Sequence, residues 1–189
     1  MRTSKPKGQQ SWTKFLTPAV LRHNLILCSL YLAAYELLKI SVIDHLKNFF
    51  SDWSQDGTRQ LGQDYRKHVS VLNPKDSFHA SCLWFKQNGA LNDDDLAELE
   101  RIRKHRNAIA HELPSFISDV DYEVDRERLL ALKRLVEKIE RWWIREVEIS
   151  GSPDYDGVEV KDEDITPGTV IAVDLIMKLA FDSGDDTQH

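Results

Sequence analysis

The amino-acid sequence predicts an all-α protein, a five-helix up-and-down bundle, and three observations lead to that prediction. Hydrophobic residues make up 41% of the 189 residues and charged residues 30%, as in a globular chain with one buried core. The chain has only 8 Gly and 6 Pro, too few for the many turns of an all-β fold. Apolar residues recur at helical spacing after Thr-Pro and Asn-Pro pairs, which are typical helix starts.

The predicted organisation is a single helical domain over residues 1–189, with its core at about 17–182. Residues 1–16 begin polar and basic and are predicted to form a flexible arm, although Trp12 could dock on the core. Residues 183–189 are predicted to be a fraying acidic tail, as chain ends commonly are.

The first predicted helix begins at Thr17-Pro18, an N-cap followed by proline, and ends near Phe50. Its apolar residues spread beyond one stripe, which indicates a central helix or a helix with both a core face and a partner face. Its most apolar part, residues 25–38, contains Glu36 and is shorter than the about 20 apolar residues that a membrane span needs. The sequence therefore predicts a buried helix and no membrane association.

Four more helices are predicted from start and stop signals, among them Gly89 as a helix terminator and three Asp residues in the first turn after Asn92. Residues 51–73 are predicted to be a polar connection with a short helix at about 59–71, and residues 151–163 an acidic linker. The one weak strand candidate lies within that linker. The four predicted helices are 74–88, 93–111, 121–147 and 167–181.

Charge and cysteine content restrict the class of protein. The net charge is −6 and the pI about 5.6, which excludes a broad basic surface that coats nucleic acid, so any contact with nucleic acid must use a local basic pocket. The absence of a signal sequence and two isolated cysteines, Cys28 and Cys82, predict a cytoplasmic protein with buried reduced thiols rather than a disulfide. No zinc-ligand set or phosphate-binding glycine loop is present, so no metal or cofactor is predicted.

One residue breaks the apolar pattern of the helix predicted over 93–111. At about 100° per residue, Arg106 falls near the middle of the apolar stripe. Such an arginine is either paired inside the protein, with Glu36 as a candidate partner, or aimed into an interface or cleft. His111 lies about 140° further round, so the two side chains converge only if the helix end loosens or a second subunit completes the site. The spacing favours a site shared by two copies.

The segment Arg106-Asn107-Ala108-Ile109-Ala110-His111 resembles the R-x4-6-H signature of HEPN domains, including the Asn directly after the Arg. Its place late in a helix, after a long apolar helix that bears Tyr35 and Glu36, is also similar to that family. The resemblance implies a HEPN-type bundle, a homodimer with a composite active site, and a metal-independent endoribonuclease. It further implies RNA as substrate, a role as toxin or antiviral defence effector, and an antitoxin or effector protein as partner.

Within this interpretation each side chain of the motif has a role. His111 takes a proton from a ribose 2′-hydroxyl or gives one to the leaving 5′-oxygen, which leaves a 2′,3′-cyclic phosphate. Arg106 holds the scissile phosphate, and Asn107 orients the histidine or bonds to the substrate. Glu36 either forms an ion pair with Arg106 inside the protein or, together with Lys39, completes the active site.

Several residues have a structural alternative. Arg103 and His105 are weak candidates for RNA contact, because basic residues late in a helix are also favoured by the helix dipole. Trp142 and Trp143 are predicted to pack rather than to stack bases. Leu113 occupies the position where HEPN toxins controlled by a nucleotidyltransferase often carry Tyr, which argues against control by adenylylation there. The alternative function is a non-catalytic HEPN module for dimerisation or for nucleotide or RNA sensing.

Overall fold

The computed structural model describes residues 6–53 and 59–182. The protein is 78% helix and 2% strand, which confirms the all-α prediction. The helices are α1 (Lys7–Leu16), α2 (Pro18–Lys39), α3 (His45–Phe49), α4 (Gln63–His68), α5 (Ser77–Gln87), α6 (Asp93–His111), α7 (Leu113–Ser118), α8 (Arg126–Trp143) and α9 (Gly168–Asp182).

The described residues contain eight helices, rather than five, when α2 and α3 are counted as one. A π-helical turn at Ile40–Asp44 joins these two helices, and a second π-helical turn at Ile144–Ile149 extends α8. The predicted five correspond to α2 with α3, α5, α6, α8 and α9. Helix α4 lies within the short helix predicted at about 59–71, of which residues 59–61 form a strand instead. Helices α1 and α7 were not predicted, because at 10 and 6 residues their apolar periodicity is too brief to stand out in the sequence.

Helix α1 corrects the prediction of a flexible arm. Lys14, a residue of α1, donates hydrogen bonds from Nζ to the backbone carbonyl oxygens of Asp119 and Tyr122, at 2.6 and 2.7 Å. The hydroxyl of Ser11 accepts from the Val120 N–H at 3.4 Å. These bonds fix α1 beside the segment that follows α7, and this is why residues 7–16 are ordered as a helix.

The long helix runs from Pro18, at its first turn, to Phe49. Thr17 does not cap it with its side chain, because α1 precedes it and the Thr17 hydroxyl donates instead to the Thr13 carbonyl at 2.7 Å. Helix α2 lies at the centre of the fold and packs against α6, α7, α8 and α9. Tyr31 and Leu38 are fully buried, so the predicted core face of this helix is confirmed.

Within the described residues, this long helix has the length and mean hydropathy, 1.7, that a membrane span requires. Half of that apolar window is buried inside the fold. Core helices show the same pattern, so the prediction of no membrane association stays a prediction.

Polar caps set the helix boundaries. Helix α6 begins with a capping box in which the side chains of Asn92 and Asp95 each accept from the other's backbone N–H, at 2.9 and 2.8 Å. Asp76 and Asp125 cap α5 and α8, so these helices begin three and five residues later than predicted. Gly89 ends the α5 segment with φ +81°, as predicted.

A short antiparallel pair of strands was not predicted. Strands β1 (Ser51–Trp53) and β2 (Arg59–Leu61) pair with Ser51 opposite Leu61. Gly62 follows directly, and a Cβ there would lie 2.6 Å from the Phe50 carbonyl oxygen. Strands of three residues are too short to show alternation in the sequence. The strand candidate in the linker forms no strand, and the predicted tail at 183–189 lies outside the described residues.

Aromatic rings pack where α5 meets the end of α8. Trp142 lies 5.7 Å from Phe85 and 6.1 Å from Trp84, measured between ring centroids. Trp143 is buried and stacks on His45 at 4.8 Å. These contacts confirm that the tryptophan pair serves packing.

Both cysteines are free thiols, as predicted. Cys28 and Cys82 are each 2% exposed. Burial raises the pKa of Cys28 to about 11 and that of Cys82 to about 12, so neither thiol is a reactive nucleophile near neutral pH.

Candidate functional site

The end of α6 determines how the motif residues can meet. The helix is regular as far as His111, and the Glu112 N–H still donates to the Ala108 carbonyl at 2.8 Å. The helix therefore does not loosen before His111, and Arg106 stays about 140° away from it on the same chain. The first of the two predicted arrangements, a loosened helix end, is thus not observed, and the second, a site completed by another copy, stays a prediction.

Arg106 is held by two contacts to α2 and one to its neighbour on α6. Its Nη2 lies 3.2 Å from Glu36 Oε1, and its Cζ lies 5.4 Å from the centroid of the Tyr35 ring. Its Nη1 donates to Asn107 Oδ1 at 3.3 Å. The side chain is 31% exposed, so the guanidinium is fixed in position and still reachable from solvent.

One donor of Arg106 is unused. Its Nε is buried and has no hydrogen-bond partner among the described residues. A buried donor without a partner is unfavourable, so this position of the guanidinium carries an energetic cost. Because Nε is buried, an anion from solvent does not reach it in this conformation.

Glu36 lies between two cations. Its Oε2 accepts from Lys39 Nζ at 2.7 Å, and its Oε1 faces Arg106. The hydrogen bond from Lys39 lowers the pKa of Glu36 most, partial burial opposes this, and Arg106 lowers it further. The sequence prediction that Glu36 is a partner of Arg106 is confirmed. Because two cations flank one carboxylate, the cluster Arg106–Glu36–Lys39 keeps a net positive charge.

The other two motif residues lie at the surface. Asn107 and His111 are both exposed, on the last two turns of α6. Nothing in the described fold covers His111, so its ring is accessible to a substrate or to a second protein copy. Its proposed catalytic role is not tested by this arrangement and stays a prediction.

Arg103 lies apart from this cluster. Its guanidinium binds Asp76 at 2.6 Å and Glu100 at 2.9 Å, and it thereby joins α6 to the start of α5. The hydrogen bond that Arg103 donates to Glu100 raises the pKa of Arg103 most, partial burial opposes this, and the bond to Asp76 adds to the rise. Since two carboxylates already neutralise this charge, Arg103 is a poor phosphate ligand in this conformation.

His105 is inside the protein and faces no solvent groove. It is 9% exposed, and its Nε2 accepts from the Asp125 N–H at 2.9 Å. Its ring packs edge-on against Tyr31 and Phe116, at 5.0 and 5.7 Å. Burial and the nearby charge of Arg128 lower its pKa, so the imidazole is neutral and can accept this bond. The contacts give His105 a structural role, the alternative that the sequence favoured.

Sequence reasoning missed a buried polar cluster on the other side of α2. Glu140 is 4% exposed, and its Oε1 accepts from the Ser41 hydroxyl and from His45 Nε2, the latter at 3.0 Å. Burial opposes ionisation of Glu140, but the bonds from His45 and Ser41 outweigh it, so its pKa is lowered. The sequence did contain an indication of this burial. Glu140 lies one helical turn after Val136, which is buried, so both side chains fall on the same face of α8.

This cluster has no arrangement for nucleophilic catalysis. Ser41 donates to the carboxylate rather than to His45, and its hydroxyl is fully buried. A serine nucleophile requires a base that accepts its proton and a route for substrate. The Ser41–Glu140–His45 cluster therefore joins the long helix to α8 and stabilises the fold.

Over the described ranges, no group of three or more His, Cys, Asp or Glu residues is placed to hold a metal ion. The chemistry of the site has to be inferred from the residues around Arg106 and His111. Comparison with protein-family models, with curated proteins and with solved structures gives no match for this chain.

Proposed function

We propose that this protein is a metal-independent endoribonuclease of the HEPN type, a helical bundle that works as a cytoplasmic homodimer in a toxin or antiviral defence system. The observation that supports this most is the setting of Arg106. Its guanidinium occupies an apolar stripe, is oriented by Glu36 and Tyr35, and remains 31% exposed.

The proposed reaction needs one base and one acid. His111 of one copy takes the proton of the ribose 2′-hydroxyl, and the 2′-oxygen forms a bond to phosphorus. The bond from phosphorus to the 5′-oxygen breaks, and His111 of the second copy gives that oxygen a proton. The products are a 2′,3′-cyclic phosphate and a 5′-hydroxyl. Arg106 stabilises the additional negative charge of the transition state with its planar donors, and Asn107 bonds to the substrate or orients the imidazole.

Glu36 and Lys39 have supporting roles in this proposal. Without substrate, Glu36 fixes the guanidinium through the 3.2 Å contact. A phosphate that binds the exposed part of the Arg106 guanidinium adds a second anion, and Lys39, which is 40% exposed, offers the extra positive charge. The local net positive charge gives an otherwise acidic protein a place to hold RNA transiently.

The outer face of α2 supports the proposed homodimer. Leu25 and Ile40 are 38% and 44% exposed and lie within about 20–40° of Glu36 on the helix. Ala33, also exposed, lies between them. A two-fold axis along this face would bury these apolar side chains and would bring two Arg106 residues close to one another.

Substitution Ile40→Glu is expected to shift the protein from dimer to monomer and to reduce cleavage in parallel, because it places a charge in the proposed interface. Sedimentation equilibrium over a range of concentrations measures the first effect, and a cleavage assay the second. The matched control is Val71→Glu, at a site that is 62% exposed and far along the chain from α2. A monomer that cuts RNA as fast as the wild type would contradict the composite site.

The direct test of the function is incubation of the purified protein with a broad panel of RNAs in EDTA, with product ends analysed for cyclic phosphate. We expect Arg106→Lys to lower the cleavage rate by about 10²-fold, because it keeps the charge but loses the planar fork. Its melting temperature should change little, since a half-exposed ion pair contributes only about 0–1 kcal/mol. Arg134→Lys, an exposed arginine of α8, is the control. An inert wild type or an equally active Arg106→Lys would refute the proposal.

A non-catalytic HEPN module is the second candidate, and the Arg106–Glu36 contact at 3.2 Å favours it, because it occupies part of the arginine. In that case RNA or nucleotide binding would weaken with Arg106→Lys, while no cyclic phosphate would form with any variant. The same assay therefore separates the two candidates.

A further inference from the structure

A groove separates α1 from α7, close to the end of the motif helix. Its volume is about 490 Å³, within the range of small-ligand sites. Its lining includes Trp12, Phe15, Pro114, Ile117 and Asp119. Most of the lining is apolar, and Asp119 contributes the acidic group.

The aromatic wall of the groove is unusually open. Trp12 is 65% exposed and Phe15 38%, and their rings meet edge to face at 6.4 Å. An indole this exposed adds little to the core, whereas a flat ring that stacks on it would cover its apolar face. The Lys14 bonds to the Asp119 and Tyr122 carbonyls hold the wall in place, so the groove is formed before any ligand arrives.

The charge of the groove selects among flat ligands. Asp119 is an acceptor, and one of its carboxylate oxygens already takes the Asp121 N–H at 3.0 Å. Asp121 is paired with Lys7, so Asp119 is the carboxylate that repels phosphate here, and the sugar-phosphate part of a nucleotide stays outside the groove. A base edge with N–H donors is complementary to this carboxylate, and guanine presents two adjacent donors, N1–H and N2–H.

The groove is also near the motif histidine. Pro114 follows His111 by three residues, so their Cα atoms lie within about 11 Å of one another. In the proposed dimer, a nucleotide next to a phosphate held by His111 of this copy and Arg106 of the other copy could therefore place its base here.

From these observations we propose that the α1–α7 groove is a nucleobase subsite that takes a guanine, stacked on Trp12 and bonded to Asp119. This inference rests on the proposed ribonuclease function and adds a base preference to it. In this proposal, α1 recognises the base next to the bond that is cleaved.

The test is calorimetric titration of the full chain with guanosine 5′-monophosphate and, separately, with the adenosine, cytidine and uridine monophosphates. We expect the guanosine nucleotide to bind at least 10-fold more tightly than the others. Trp12→Ala should weaken its binding at least 10-fold, Trp12→Phe less, and Asp119→Asn should remove the preference for guanine. Tyr155→Ala, another exposed aromatic at 45%, is the control that should change nothing. Melting curves show whether each variant is folded.

Equal binding of all four nucleotides, no binding, or unchanged binding by folded Trp12→Ala would overturn the subsite. So would binding of an apolar probe in place of any nucleotide, which would indicate an apolar partner. Because nucleotide binding requires no cleavage, the two proposals fail separately. If the protein binds the guanosine nucleotide through Trp12 but cuts no RNA, the subsite is supported and the nuclease proposal is refuted. If it cuts RNA but does not bind the guanosine nucleotide in this way, the nuclease proposal is supported and the subsite is refuted.

Discussion

Replacement of His111 by Ala is expected to abolish RNA cleavage almost completely, with a rate lower by about 10²–10⁴-fold. The substitution removes the group proposed to move protons at both ends of the reaction, since each copy of the dimer contributes one His111. Because this side chain is exposed and lies in the last turn of α6, its loss should leave the fold intact. Initial rates on a single RNA in EDTA, with melting curves for both proteins, measure the effect.

His68→Ala is the matched control, since His68 is another exposed histidine at the end of a helix. It should cut RNA at the wild-type rate. If His111→Ala cuts as fast as the control, His111 is not catalytic. If both variants and the wild type share the same residual activity, a contaminating ribonuclease is responsible, and the catalytic proposal loses its support.

The sequence predicted best where a local signal decides the structure. The capping box of Asn92 and Asp95, and Gly89 before it, determine the start of α6 within the chain itself. By contrast, α1 depends on bonds from Lys14 to carbonyls more than 100 residues away, and no local pattern contains that information. The β1–β2 pair likewise depends on contacts across a connection rather than on its own three-residue strands.

The candidate site shows the same division. The apolar periodicity of α6 identified Arg106 as an anomaly and suggested Glu36 as its partner, because both follow from helix geometry and charge. The periodicity did not indicate that the His105 side chain would lie inside the protein and accept a hydrogen bond from the Asp125 N–H, because this contact depends on where α8 begins. Whether two copies bring His111 to Arg106 depends on the shape of an interface, which a single chain does not contain.

The cluster that the sequence missed leads to the largest expected effect on stability. Glu140→Ala should lower the free energy of unfolding by about 3 kcal/mol at neutral pH, because it leaves the buried hydroxyl of Ser41 and the ring of His45 without their acceptor. Urea denaturation measures this as a lower midpoint. Glu148→Ala, an exposed glutamate beyond α8, should change the midpoint little.

The effect of Glu140 should depend on pH in a defined direction. The folded protein lowers the pKa of this carboxyl from its ordinary 4.5, because the bonds from His45 and Ser41 outweigh the cost of burial. A lowered folded pKa stabilises the protein above the unfolded value and loses that contribution as the pH falls through the folded value. The stability difference between wild type and Glu140→Gln should therefore be largest above pH about 4.5 and shrink in more acidic buffer. A difference that stays constant from pH about 7 to below 4 would show that Glu140 contributes through its shape and neutral hydrogen bonds rather than through its charge.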